Sequence, residues 1–179
     1  MMKLTTLACS LFMLFGCSSA PKGVTPIATF DLDRYLGTWY EIARLDHRFE
    51  RSLSHVSATY SSRADGGIDV LNRGYDKKTG EWKEANGRAY FLESPQKGSL
   101  KVTFFWPFYA GYHVIALDQQ NYSYALVSGP DRDYLWLLSR TPKLEESITQ
   151  SLVKKAAALG FDTSNLIFVE QQRDGKAPG

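Results

Sequence analysis

Catalysis needs a nucleophile, a base and a group that orients them, and this 179-residue chain offers few candidates. Its histidines are His47, His55 and His113. None belongs to an H-E-x-x-H helix motif, no serine stands in a G-x-S-x-G elbow, and no cysteine pair has ligand spacing. The sequence therefore supports neither metal nor acyl-transfer chemistry, and no catalytic residue, metal ligand or cofactor site is expected. Arg48 and Arg51, in DHRFERSLSH (Asp46–His55), could meet a phosphate or carboxylate headgroup, against the plainer role of solvated surface charges. A formal net charge of +2 is close to neutral and argues against nucleic acid as a partner.

The N-terminus, MMKLTTLACSLFMLFGCSSAPKG, has one lysine, a short apolar run and then small residues, the pattern of an export signal. The run is shorter than the roughly 20 residues of a transmembrane helix. LFGC, Leu14–Cys17, resembles a bacterial lipobox. That resemblance implies cleavage before Cys17 and a mature N-terminal cysteine carrying diacylglycerol and palmitate. Ser18 follows where an aspartate would imply retention in the inner membrane, so the expected address is the outer membrane, facing the periplasm. Cys9 leaves with the signal and Cys17 takes lipid, so the exported domain has no thiol for a disulfide and must rely on its core. The expected organisation is a signal peptide at 1–16, a lipidated cysteine and flexible tether at 17–29, one folded domain at 30–170 and a polar tail at 171–179.

Short alternating β-rich runs occupy the domain: Thr38–Leu45, Leu53–Ser61, Ile68–Tyr75, Trp82–Leu92, Ser99–Phe105, Tyr112–Leu117, Tyr122–Val127 and Tyr134–Ser139. Turn signals such as DGG at Asp65–Gly67 and KKTG at Lys77–Gly80 separate them. Eight strands joined neighbour to neighbour close into an antiparallel up-and-down barrel, which leaves no free edge. Thr141 as N-cap, Pro142 at the first helical position and Gly160 as terminator predict one helix, and the stripe Leu144, Ile148, Leu152, Ala156, Leu159 packs it on the outside.

Period-2 alternation assigns the inner wall. Val56, Ala58 and Tyr60 point in, as do Ile68, Val70 and Asn72, then Leu100, Val102 and Phe104. Tyr112, Val114 and Ala116 continue the wall, and Trp136 joins from the last strand. Parity in the fourth and seventh strands stays open. The wall is apolar with polar tips at Tyr60, Asn72 and Tyr112, which suits an acyl chain; a barrel filled by its own side chains is the alternative.

LDRYLGTWYEIARL, Leu32–Leu45, carries Gly37-Thr38-Trp39 followed by Tyr40-Glu41; ALDQQNYSYALV, Ala116–Val127, contains Asp118; and LLSRTP, Leu137–Pro142, ends a strand on Arg140. These three stretches resemble the signatures of the lipocalins, closest to the bacterial members and apolipoprotein D. The resemblance implies a calyx whose closed end is sealed by Trp39 with Arg140 across its ring, a cation–π contact worth roughly 0.5–2 kcal/mol. Gly37, Trp39, Asp118 and Arg140 are then structural.

Strand order places the aromatic stretch FFWPFYAGY, Phe104–Tyr112, at the open end. Phe104 and Tyr112 face the cavity, while Phe105, Trp106, Phe108 and Tyr109 collar the mouth, free to grip a ligand, touch a membrane or pair symmetrically with a second copy; packing within the loop is the plain alternative. The expected function is non-catalytic storage or transport of fatty acids or lysophospholipids in the cell envelope. A structural envelope lipoprotein with a filled barrel, or a lipid-modifying enzyme, are the other readings. Replacing Cys17 by Ala should move the protein from membranes to the soluble periplasmic fraction, checked by fractionation after a salt wash.

Overall fold

The computed structural model describes residues 18–171; the signal segment, Cys17 and residues 172–179 lie outside the described residues. Eight strands follow one another: β1 (Gly37–Arg44), β2 (Leu53–Ser62), β3 (Ile68–Asp76), β4 (Glu81–Phe91), β5 (Ser99–Phe105), β6 (Phe108–Leu117), β7 (Tyr124–Ser128) and β8 (Leu135–Ser139). Each pairs antiparallel with the next, and β1 bonds to both β8 and β2, so the barrel is closed. A short β9 (Ile167–Phe168) adds to β1 on the outside. The DGG signal works as expected: Gly66 takes φ +80°, and Asp65 accepts a hydrogen bond from the Gly67 N–H at 3.0 Å.

Two apolar cores result. The inner one joins Trp39, Tyr60, Val70, Leu100, Val114, Ala125 and Val127 inside the barrel. The outer one lies between the barrel wall and helix α2 (Glu146–Ala158), where Ala43, Ile115, Leu126, Leu135 and Leu137 meet Leu152, Ala156 and Phe161. Strand β7 is therefore covered on both faces, which is why alternation could not assign its parity: Ala125 and Val127 point in, Leu126 out.

The helix starts later than its sequence signals predict. Thr141 donates its hydroxyl to the Lys143 carbonyl at 2.7 Å and lies 3.3 Å from the Ser139 hydroxyl, so its capping group is used in a turn, and Glu145 stands at the N-cap. The C-terminus is as expected. Gly160 at φ +84° lets the Phe161 N–H donate to Ala156 O at 3.2 Å and its own N–H to Ala157 O at 2.9 Å, which seats Phe161 in the outer core.

The segment expected to be a flexible tether is packed. Val24 is buried in the outer core, the Ile27 N–H donates to Val114 O at 2.9 Å, and its carbonyl accepts from the Gly98 N–H at 3.0 Å. Arg132, in the turn before β8, donates to the Lys22 carbonyl at 2.7 Å. Farther up, a Cβ on Gly111 would come within 2.8 Å of the Ser18 carbonyl oxygen, and the buried His113 ring meets the Ser18 and Ser19 backbone. Two apolar residues, Val24 and Ile27, outweigh the segment's polar composition. The polar-tail boundary also shifts by one. Beyond Tyr40 the β1–β2 seam parts, and Gln171 fills it, donating from Nε2 to Glu41 O and Val56 O at 2.8 Å each.

At the closed end a one-turn helix, α1 (Leu32–Tyr35), crosses the barrel floor. The Trp39 indole N–H donates to the Tyr35 carbonyl at 2.8 Å. Arg140 stands 4.0 Å from the Trp39 ring centroid and donates to Arg34 O at 2.7 Å, Thr38 O at 3.0 Å and Tyr122 O at 3.3 Å. Asp118 holds the neighbouring turn, accepting from the Ser123 hydroxyl at 2.5 Å and from the Gln120 N–H at 3.2 Å. Arg140→Met, which keeps apolar bulk but removes three charged donors and the cation–π contact, should cost about 2–4 kcal/mol. A lower urea midpoint with an unchanged slope is the expected readout.

Candidate ligand cavity

The barrel encloses a cavity lined by Val56, Ala58, Tyr60, Val70, Asn72, Val102, Phe104, Tyr112 and Trp136, together with Ile68 and Leu100. Its volume, measured as the space open to the centre of a water-sized sphere, is ≈ 100 Å³. On that measure one water needs roughly 10–15 Å³, so the barrel holds real but narrow space. Val114 belongs to the inner core but stands away from the cavity lining. Ala116 turns outward, because a register shift between Val114 and Ala116 in the β6–β7 pairing sends Ile115 and Ala116 together to the outer core.

The wall is not continuous. β4 pairs with β3 along its length but with β5 only from Arg88 to Phe91, so its upper half has no partner on that side. Phe104 stands in this slot. Its ring occupies the place where a Cβ on Gly87 would fall, 2.7 Å from the ring, and it is half-buried between the cavity and an outer groove that includes Arg63, Arg88 and Tyr90. Ala89, on the strand whose parity was open, faces inward.

Three tyrosines form the cavity floor. The hydroxyl oxygens of Tyr35 and Tyr112 are 2.7 Å apart, and those of Tyr60 and Tyr112 2.9 Å. Three hydroxyl hydrogens serve two contacts, which leaves one for a ligand. Asn72 Oδ1, also buried, has no hydrogen-bond partner. Sequence reasoning found Tyr60, Tyr112 and Asn72 but missed Tyr35, because α1 is a single turn with no periodicity.

The mouth holds what the sequence concealed. Glu41, Arg44, His47 and Glu50 are all drawn inward. Arg44 is 1% exposed; it donates from Nη1 to Glu41 Oε1 at 2.7 Å and from Nη2 to Glu50 O at 2.6 Å and Leu53 O at 3.3 Å. A register shift between Glu41 and Ala43 breaks the alternation of β1, so Ala43 joins the outer core and Arg44 turns inward. That shift hid Arg44 from a period-2 reading; the i, i+3 spacing of Glu41 and Arg44 was the available signal. The rim arginines divide. Arg51 is exposed and pairs with Asp46 at 2.9 Å, whereas Arg48 is exposed and stacks 5.0 Å over Phe49.

The aromatic stretch is a hairpin whose second strand begins at Phe108 and not, as expected, at Tyr112. β5 and β6 run almost to its tip, Phe105 pairs with Phe108, and only Trp106 and Pro107 form the turn. Phe105, Trp106 and Phe108 are 75%, 81% and 73% exposed, which rules out packing within a loop. Tyr109 does not join this collar; it lies on the outer wall, 6.5 Å from Tyr90 and beneath Lys101 at 4.9 Å.

With this geometry in hand, comparisons give the family. A profile described as a lipocalin-like domain matches residues 30–171. The chain belongs to the lipocalin family. It is 56% identical over 164 residues to outer membrane lipoprotein Blc of Vibrio cholerae, covering 92% of this chain and 95% of that one. Identity to the Escherichia coli K12 protein of the same name is 53% over 173 residues, covering 96% and 97%. Apolipoprotein D of Macaca fascicularis is 30% identical over 167 residues, covering 90% of this chain and 85% of its own. Among solved structures, insecticyanin from Manduca sexta superposes with a TM-score of 0.67 at 21% identity, covering 87% of each chain, a likeness of fold. This lipocalin is an outer membrane lipoprotein, in agreement with its N-terminal export pattern.

Burial raises all three floor phenols: Tyr60 to about 12, despite its hydrogen bond to Tyr112, and Tyr35 and Tyr112 well above the ordinary value. In the unfolded chain a phenol ionises near pH ~10. Stability is therefore fully present below pH ~10 and is lost as pH rises through the folded values, Tyr60 alone accounting for about 2–3 kcal/mol. Titration followed at the phenolate absorbance should show three late-ionising tyrosines, and Tyr60→Phe should flatten the alkaline loss of stability.

Proposed function

We propose that this lipocalin binds single-chain amphiphilic lipids, fatty acids or lysophospholipids, and stores or carries them in the cell envelope without catalysing their turnover. The observation that carries the reading is the narrow apolar cavity, closed below by the tyrosine floor and opening at an aromatic rim. One acyl chain suits a slot of this width, and two would strain an eight-stranded wall. A barrel filled by its own side chains would leave no such space. The floor donor and the buried charges at the mouth give polar partners at both ends of a bound molecule.

The N-terminal segment supports a placement for the mouth. Ser18 lies against Gly111 on β6, near the hairpin tip, so a lipid on the preceding Cys17 would enter the bilayer beside Phe105, Trp106 and Phe108. The open end then faces the membrane from the periplasmic side, and the exposed rings rest in its interface, where aromatic side chains are favoured. Symmetric pairing of two copies through the same rings is the other arrangement that would shelter them.

Ala58→Trp should abolish displacement of an environment-sensitive fluorescent fatty acid while barely moving the melting temperature, because the added bulk enters open space. A large loss of stability with unchanged displacement would count against the cavity as the binding site. Trp106→Ser in the lipid-free domain should leave stability unchanged and reduce either vesicle docking or sedimentation as a dimer; the arm that moves identifies the use of the rim.

A further inference from the structure

The cluster at the mouth is unusual in its charge count. Glu41 and Glu50 both line an apolar cavity, and Arg44 is the one guanidinium between them. Burying two carboxylates against one cation is costly, and such groups are retained only where geometry compensates. Glu41 has its compensation in the 2.7 Å bond from Arg44 Nη1. Glu50 is held differently. Three nitrogens converge on its Oε2: Trp136 Nε1 at 3.2 Å, His47 Nε2 at 3.1 Å and Arg44 Nε at 3.9 Å. The indole donates a hydrogen bond, and His47 Nε2 makes a close polar contact. Arg44 Nε and His47 Nδ1 are buried without a hydrogen-bond partner.

Those unsatisfied nitrogens mark a site better suited to a larger or differently placed acceptor than to Glu50. Glu50 is also the more exposed of the two acidic side chains. It stands on the turn between β1 and β2, its side chain is 13% exposed, and its carbonyl is fixed by Arg44 Nη2 at 2.6 Å. Below lies the apolar slot, and the Trp136 ring is part of its wall.

We propose that Glu50 is an internal stand-in for the ligand: its carboxylate occupies the place where the anionic headgroup of a single-chain amphiphile, carboxylate or phosphate, is received by Arg44, His47 and Trp136. The inference rests on the lipid-carrier reading above and adds a headgroup class to it. An incoming anion replaces one negative charge by another, so the buried charge count is unchanged. A neutral headgroup cannot make that exchange and meets Glu50 still in place. Glu50 thus sets selectivity for charge, and the outward swing of its side chain accompanies loading.

The test compares direct binding of palmitic acid, 1-palmitoyl lysophosphatidic acid and hexadecanol to the wild type, Glu50→Gln and Trp136→Phe. Glu50→Gln removes the competing charge but not the shape, and should tighten one or both anions by about tenfold while hexadecanol stays within about twofold. Trp136→Phe removes one donor and keeps an aromatic wall; it should weaken the same anions by about tenfold, again sparing the alcohol. The anion that responds more strongly identifies carboxylate or phosphate as the better-fitting source. Equal responses of acid and alcohol, or none, overturn the headgroup site while leaving lipid carriage intact. If the wild type binds none of the three, both readings fail.

Discussion

The Arg140 guanidinium stacked on Trp39 is the interaction on which the rest of the molecule depends. An eight-stranded barrel can close on itself, but its two ends are alike until something seals one of them. Arg140 does so by reaching three carbonyls, on α1, at the start of β1 and in the β6–β7 connection, while covering the indole that fills the floor. Trp39 in turn holds α1 through the Tyr35 carbonyl, and α1 delivers the Tyr35 hydroxyl to the other two tyrosines. A sealed, aromatic and hydrogen-bonded floor follows from that contact, and with it a definite top and bottom.

The opposite end is built on the contrary principle. Strand pairing thins out there: β4 loses β5 above Arg88, and β1 loses β2 above Tyr40. Phe104 and Gln171 fill the two gaps with side chains in place of ladder bonds. Side chains can shift where a ladder cannot, so the cavity is bounded by rigid sheet near the floor and by adjustable groups near the mouth. The buried charges belong to this adjustable end. Burial pushes the Glu41 carboxyl well up. Burial acts on Glu50 in the same direction, but its contacts with His47 and Trp136 and the charge of Arg44 prevail and hold it low.

The outer surface also fixes the N-terminal segment. Residues 18–29 are not a free chain. Packed through Val24 and Ile27, they instead lead to Gly111 and His113, beside the strand that carries the exposed rings. Gly111 is glycine because the segment crosses too closely for a side chain, with the Ser18 carbonyl oxygen only 2.8 Å from where a Cβ would stand. The course of this segment is therefore set by packing on the outside of the barrel, apart from the cavity itself.

Alternation and turn chemistry by themselves determined the eight strands and most of the inner wall, while the place of Trp39 and Arg140 came from the resemblance of their stretches to lipocalin signatures. Those features repeat locally, since every second residue meets the same environment wherever a strand has one covered face. What the sequence could not decide lies where that premise breaks. β7 is covered on both sides, so Leu126 and Val127 look alike. Register shifts in β1 and β6 turn Arg44 inward and Ala116 outward, and a shift depends on a partner strand distant in sequence. Thr141 could cap a helix or close a turn, and only the Ser139 and Lys143 groups beside it selected the turn. The meeting of Glu41, Arg44, His47, Glu50 and Trp136 at one mouth likewise required the closed barrel, because β8 reaches β1 only when the sheet returns on itself.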